Sequence, residues 1–203
     1  MQIIPTTNPQ VDFLDVEKRL EHIKDLSAWI QIDVTDGVLV SPPTFPLEIL
    51  SKSKINLDKN IFDIHLMVKN PINWINKCLF VEATRITGQV ELMDDREKFV
   101  TTVKDHGCEA GLSFDVDTPI DNIPAETDLI LIMGRKMGFA PAILDDKIYE
   151  KIKQAKSFGK LVALDGGASL ENFEKLKASG LDIIYSYQNY FDLRNYDLDS
   201  QNN

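Results

Sequence analysis

Three short apolar runs, far apart in the chain, each end on a polar, ionisable residue. They are Trp29-Ile30-Gln31-Ile32-Asp33, Phe62-Asp63-Ile64-His65-Leu66-Met67, and Leu161-Val162-Ala163-Leu164-Asp165, which continues into Gly166-Gly167. A carboxylate or imidazole at the end of a buried strand is costly unless it is paired, holds a metal or takes part in a reaction. Asp33 and Asp165 are the candidate catalytic pair. Two carboxylates on either side of one small molecule suit proton transfer at a carbon beside a carbonyl. One group takes a proton from one face, and the other returns a proton to the opposite face. His65 joins them as a candidate metal ligand, since imidazole and carboxylates suit zinc or a similar divalent ion. Gln31 lies two residues before Asp33, hence on the same strand face, and its carboxamide oxygen is a weak additional ligand. Gly166 and Gly167 lead through Ala168-Ser169 into a helical pattern, where backbone N–H groups can approach a phosphate. Gly138, in Gly138-Phe139-Ala140, is a second candidate edge of the same pocket. Arg135 and Lys136 just before it can meet an anion or simply stand in solvent.

The elements that must position these residues alternate. Short β-rich runs fall at residues 3–5, 29–34, 61–67, 83–86, 109–114, 128–133, 160–164 and 182–186. Helical patterns fall between them at 11–26, 45–50, 71–80, 93–106, 145–158 and 169–179, with a short turn or helix at Thr118-Pro119. In 11–26 the apolar residues Phe13, Leu14, Val16, Leu20, Ile23 and Leu26 follow a 3.6-residue period. Asn70 and Ser169 are the expected N-caps of their helices. Eight strands in strict alternation with helical segments predict an α/β fold of the (β/α)8 barrel type, in which active sites form at the C-terminal ends of the strands. The expected division is one barrel domain over residues 1–194 and a polar, frayed tail over 195–203.

Composition bounds the partners. The chain has 203 residues, with 22 Lys and Arg against 32 Asp and Glu, a formal charge of −10. That is enough chain for one sizeable core, and its negative field repels nucleic acid and anionic membrane. The N-terminus lacks the basic and apolar regions of a signal peptide, and no apolar run approaches membrane-spanning length. Cys78 and Cys108 have no C-x-x-C spacing and read as buried thiols. A cytoplasmic setting is expected.

These residues, in this order, resemble the ribulose-phosphate 3-epimerase family of (β/α)8 enzymes. The likeness runs from about Ile3 to Phe191. It rests on Ile32-Asp33-Val34-Thr35-Asp36-Gly37, on Asp63-Ile64-His65-Leu66-Met67-Val68 with Pro71 and Trp74, on Met137-Gly138-Phe139, and on Leu164-Asp165-Gly166-Gly167. The resemblance implies interconversion of ribulose 5-phosphate and xylulose 5-phosphate through an enediolate, a small phosphorylated sugar as partner, and self-association into a homo-oligomer. It also implies a divalent metal (zinc, iron, manganese or cobalt) held by Asp33, His65 and Asp165. Met67 would then cap the substrate. Four departures accompany it. Gln31 stands where the family has a histidine ligand. Thr6, in Pro5-Thr6-Thr7-Asn8, replaces a serine-containing turn. Arg135-Lys136-Met137-Gly138-Phe139-Ala140 replaces Asn-Pro-Gly-Phe-Gly-Gly. Tyr187-Gln188 replaces the Gly-Ser that meets phosphate, so that Gln188 becomes a candidate substrate contact and the Tyr187 ring would crowd the site. A related isomerase or lyase on another substrate, and a barrel that binds without catalysing or has lost its metal, are the alternatives these departures raise.

Overall fold

Apolar and polar residues alternate along the strands, and the alternation sorts them onto two sides of a closed wall. The computed structural model describes residues 1–137 and 143–201. Its strands are β1 (Gln2–Pro5), β2 (Trp29–Thr35), β3 (Ile61–Met67), β4 (Ala83–Gln89), β5 (Glu109–Phe114), β6 (Leu129–Met133), β7 (Leu161–Asp165) and β8 (Ile183–Ser186). Its helices are α1 (Phe13–Ile23), α2 (Ile75–Phe80), α3 (Arg96–Asp105), α4 (Ile148–Lys156), α5 (Phe173–Ala178) and α6 (Tyr190–Gln201). All strand pairs are parallel, in the order β1-β8-β7-β6-β5-β4-β3-β2. The two ends of that order meet through a bridge between Thr6 and Gln31, with the Thr7 N–H donating to the Gln31 carbonyl at 3.0 Å. The result is the expected (β/α)8 barrel.

Outward residues such as Ile30, Ile32, Val34, Ile64, Leu66, Val162 and Leu164 join the apolar faces of the helices in one large core. In α1 that face is Val16, Leu20 and Ile23, and Asp12 starts the helix by accepting from the Leu14 N–H at 2.9 Å. A second, smaller cluster of Ile4, Leu129, Leu131, Ala163, Ile183 and Tyr185 fills part of the barrel interior.

Several local expectations are corrected. Strand β4 runs on to Gln89 instead of stopping at Ile86. Its outward Gly88 leaves space taken by Met93 and Phe99, whose atoms would lie 2.7 and 2.8 Å from an added Cβ. Asn70 does not cap with its side chain. It sits at φ +49° before a 3-10 turn, Pro71–Trp74, that leads into α2. Ser169 is not a cap either: its own N–H donates to Asn172 Oδ1 at 2.9 Å, and α5 begins only at Phe173. At Thr118-Pro119 the expected alternative of a turn is the one present, with the Thr118 N–H donating to the Asp115 carbonyl at 3.0 Å. Residues 195–201 continue α6, in which Asp197 pairs with Lys177 at 2.9 Å.

The other half of the interior is ionic. Asp63 on β3 meets the Tyr185 hydroxyl and accepts from Arg85 Nη1 at 3.1 Å. Arg85 Nε donates to Glu109 Oε2 at 2.8 Å, and the guanidinium lies 4.4 Å from the centre of the Trp29 ring. Asp63 is wholly buried and Arg85 nearly so. A buried pair adds little net stability over an apolar one, but removing a single partner strands a charge. Loops after β6 and β7 are pressed together nearby. A Cβ on Gly134 would fall 2.0 Å from the Gly166 carbonyl oxygen, and the Gly134 N–H donates to the Asp165 carbonyl at 2.7 Å.

Two outcomes follow for urea denaturation. Arg85→Met, which leaves Asp63 buried without its cation, is expected to cost about 3–5 kcal/mol. Gly134→Ala is expected to cost about 1–3 kcal/mol, because backbone must move to admit the methyl group.

Candidate active site

Each of the three apolar runs delivers its ionisable residue to the same mouth. Register places Asp33 of β2 beside His65 of β3, and Met133 of β6 beside Asp165 at the end of β7. His65 Nδ1 lies 3.3 Å from Asp33 Oδ1 and 3.4 Å from Asp165 Oδ2. His65 Nε2 lies 3.1 Å from Gln89 Oε1. A carboxamide oxygen can only accept, so Nε2 carries a hydrogen, and Nδ1 is the nitrogen turned to the two carboxylates. Thr6, just beyond β1, donates its hydroxyl to Asp33 Oδ2 at 3.0 Å. Each carboxylate is thus aimed by a neighbour from another strand.

Electrostatics follow from burial and proximity. Burial pushes the Asp33 carboxyl up from its ordinary range, and the nearby charge of Asp165 adds to this, while hydrogen bonds from His65 and Thr6 work against it. Burial alone would lower His65. Its hydrogen bonds to Asp165 and Asp33, and their charges, outweigh that and raise it to about 10.

Among the described residues, Asp33, His65 and Asp165 form a group able to hold a metal, each offering one ligand atom, with all three atoms within 4.8 Å of one another. Gln31 lies on the same face of β2 and is wholly buried, yet neither its Oε1 nor its Nε2 has a hydrogen-bond partner. A buried carboxamide with no partner is unusual and calls for a ligand. The donor set, one imidazole with two carboxylates and a carboxamide oxygen, fits a divalent cation of the zinc or manganese type.

Two cavities open at this mouth. The first, of about 310 Å³, is lined by Asp33, Asp165, Met67 and Met133 together with Pro42 and Met137. The second, of about 410 Å³, lies behind Asp165 and is lined by Thr6, Gly166, Gly167, Tyr187, Gln188 and Asn189, among others. The expected substrate contacts Thr6, Met67, Gly166, Gly167 and Gln188 therefore all border one cavity or the other, whereas Gly138 lies outside the described residues. Tyr187 lines the second cavity without closing it. Its ring packs 4.7 Å from the Arg19 guanidinium, which donates to the Tyr187 carbonyl at 2.8 Å.

Gln89 is the site residue that the sequence reading missed. Ending β4 at Ile86 left it in a loop; continuing the alternation Arg85, Thr87, Gln89 would have placed it on the inner face beside His65.

Comparison with known proteins agrees with this geometry. Residues 7–191 match the family described as the ribulose-phosphate 3 epimerase family. The ribulose-phosphate 3-epimerase of Buchnera aphidicola subsp. Baizongia pistaciae is 30% identical over 187 residues, covering 87% of this chain and 82% of that protein. That of Treponema pallidum is 24% identical over 192 residues, covering 89% and 87%. Among solved structures, phosphoribosyl anthranilate isomerase from Thermus thermophilus superposes with a TM-score of 0.61 at 12% identity, covering 92% of this chain and 87% of that one. A mutant tryptophan synthase α-subunit from Pyrococcus furiosus gives 0.63 at 15% identity, covering 92% and 86%. At such identities these two show the barrel fold alone. The match over residues 7–191, borne by a chain whose two aspartates and histidine converge at the barrel mouth, establishes that it belongs to the ribulose-phosphate 3-epimerase family.

Proposed function

We propose that this chain interconverts ribulose 5-phosphate and xylulose 5-phosphate by proton transfer at carbon 3, with Asp33 and Asp165 as the two acid–base groups. The observation that carries the reading is the approach of both carboxylates to His65 Nδ1, at 3.3 and 3.4 Å, from strands that two other strands separate. One carboxylate removes the proton on one face of the carbon next to the carbonyl, and the other, as the acid, supplies a proton to the opposite face. The electron pair left at carbon 3 is shared with the carbonyl as an enediolate until the second proton arrives. Asp33, wholly buried and pushed up, is suited to carrying the proton as an acid before it is delivered. Thr6 holds Asp33 in orientation from one side, and His65 holds both carboxylates in one plane of approach. Met67 and Met133 line the apolar wall that keeps water from the carbon between them.

Asp33, His65 and Asp165 would hold a divalent cation, with Gln31 Oε1 as the fourth protein ligand. Such an ion supplies positive charge beside the substrate oxygens while carbon 3 is without its proton. Gln89, at 3.1 Å from His65 Nε2, holds the ring with Nδ1 turned to that position. The buried, unpaired thiols of Cys78 and Cys108 support a reducing, cytoplasmic setting.

Incubation with ribulose 5-phosphate in deuterium oxide tests the two-acid assignment. Asp33→Asn and Asp165→Asn are each expected to slow epimerisation at least about a hundredfold, and the variant that lacks the base facing the carbon 3 hydrogen of ribulose 5-phosphate is expected to lose exchange of that hydrogen as well. Wild-type epimerisation in either variant removes that residue from the mechanism. Chelator competition tests the ligand set: Gln31→Leu is expected to weaken zinc or manganese binding about 10–100-fold, and Gln31→His to strengthen it. Unchanged affinity in both variants would show that the carboxamide does not touch the ion.

A further inference from the structure

The two cavities at the barrel mouth share four residues, Asn8, Arg135, Asp165 and Gly166, and Arg135 is the one cation among them. Among the described residues it is also the one basic residue lining the second cavity, whose acidic residue is Asp165. A phosphate dianion entering there comes to rest beside a carboxylate in a chain of formal charge −10. That placement is unfavourable unless a positive group faces it. The backbone beyond Gly166-Gly167 gives little help, because α5 has only six residues and starts six positions after Gly167, at Phe173.

Arg135 is built into position. Gly134 before it is clamped between strands, donating to the Asp165 carbonyl at 2.7 Å and accepting from the Asp145 N–H at 2.9 Å. Gly166 has φ +83°, and the open face where its Cβ would stand lies 3.5 Å from Arg135 Nε. The arginine side chain thus lies against Gly166, and both residues line both cavities. A guanidinium offers several N–H donors in a planar fork that matches phosphate oxygens two at a time. Arg135 belongs to a loop in which this chain departs from its family's pattern, and Thr6, Tyr187 and Gln188, which line the same cavity, belong to two of the other departures.

The geometry points to Arg135 as the side chain that binds the substrate's phosphate and makes the site specific for phosphorylated sugars. It spans from the second cavity to the acid–base pair, so that one end of the sugar is gripped while carbon 3 lies between Asp33 and Asp165. This assignment rests on the sugar-phosphate reading above, and the experiment separates the two.

Inorganic phosphate is titrated into the wild type, Arg135→Gln and Arg135→Lys by calorimetry, and KM and kcat for ribulose 5-phosphate are measured on the same samples. Arg135→Gln is expected to weaken phosphate binding about tenfold or more and to raise KM more than it lowers kcat. Arg135→Lys recovers part of the loss. If Arg135→Gln binds phosphate as the wild type does, Arg135 is not the phosphate ligand, while epimerase activity in the same samples keeps the functional reading intact. A wild type that binds phosphate through Arg135 but does not epimerise the sugar supports the assignment and overturns the functional reading. A wild type that neither binds phosphate nor turns over overturns both.

Discussion

Charge inside a closed barrel has to be neutralised where it stands, and strand β3 carries two such groups on one inner face, Asp63 and His65. Residues two apart on a strand are about 6.6 Å apart, so each must find its own partners. Asp63 recruits Arg85 from β4 and Tyr185 from β8, while His65 recruits Asp33 from β2, Asp165 from β7 and Gln89 from β4. Together these contacts tie five of the eight strands into one register. A slip of one residue would turn every one of these groups outward into the apolar layer under the helices, where Ile30, Ile64 and Val162 now pack. The polar interior is therefore what sets the alignment, and the oily cluster around Leu131 and Ile183 fills what remains.

The lower and upper sets do different work on the same strand. Around Asp63 the partners are closely spaced, and its charge is met by the Arg85 guanidinium. Around His65 the carboxylates are held at slightly long distances, 3.3 and 3.4 Å, and both border open space. That difference leaves Asp33 and Asp165 able to exchange partners with a bound molecule. The second cavity starts at the next residue along, where Gly166 and Gly134 touch backbone to backbone and fix Arg135 and Asp165 relative to each other.

Much of this was legible in the sequence because the relevant signals are local. Eight apolar runs alternating with helical patterns announce the barrel, and β3 and β5 have the expected bounds, Ile61–Met67 and Glu109–Phe114. Runs that end on Asp33, His65 and Asp165 announce the mouth, since an ionisable group in that place needs a reason. What escaped depends on partners distant in the chain. Gln89 was hidden because Thr87-Gly88-Gln89 looks like a loop until Phe99 and Met93 are seen to occupy the space over Gly88. Asn70 and Ser169 have the composition of caps, but the backbone at Asn70 turns left-handed and the N–H of Ser169 is taken by Asn172. The Tyr187 ring reads as an obstruction until Arg19, 168 positions away, is found holding its carbonyl and lying against its ring.

The barrel is closed by less than any of its other joints: β1 and β2 are joined by the single bridge at Thr6 and Gln31 and by the Thr7 N–H on the Gln31 carbonyl. Those same two side chains serve the mouth, Thr6 through its hydroxyl on Asp33 and Gln31 through its unpaired carboxamide. The clasp of the cylinder and the site at its mouth consequently share the same two residues. Whatever binds there stitches the first strand to the second, so a ligand tightens the whole wall, and breathing at that seam unmakes the catalyst before it unmakes the fold.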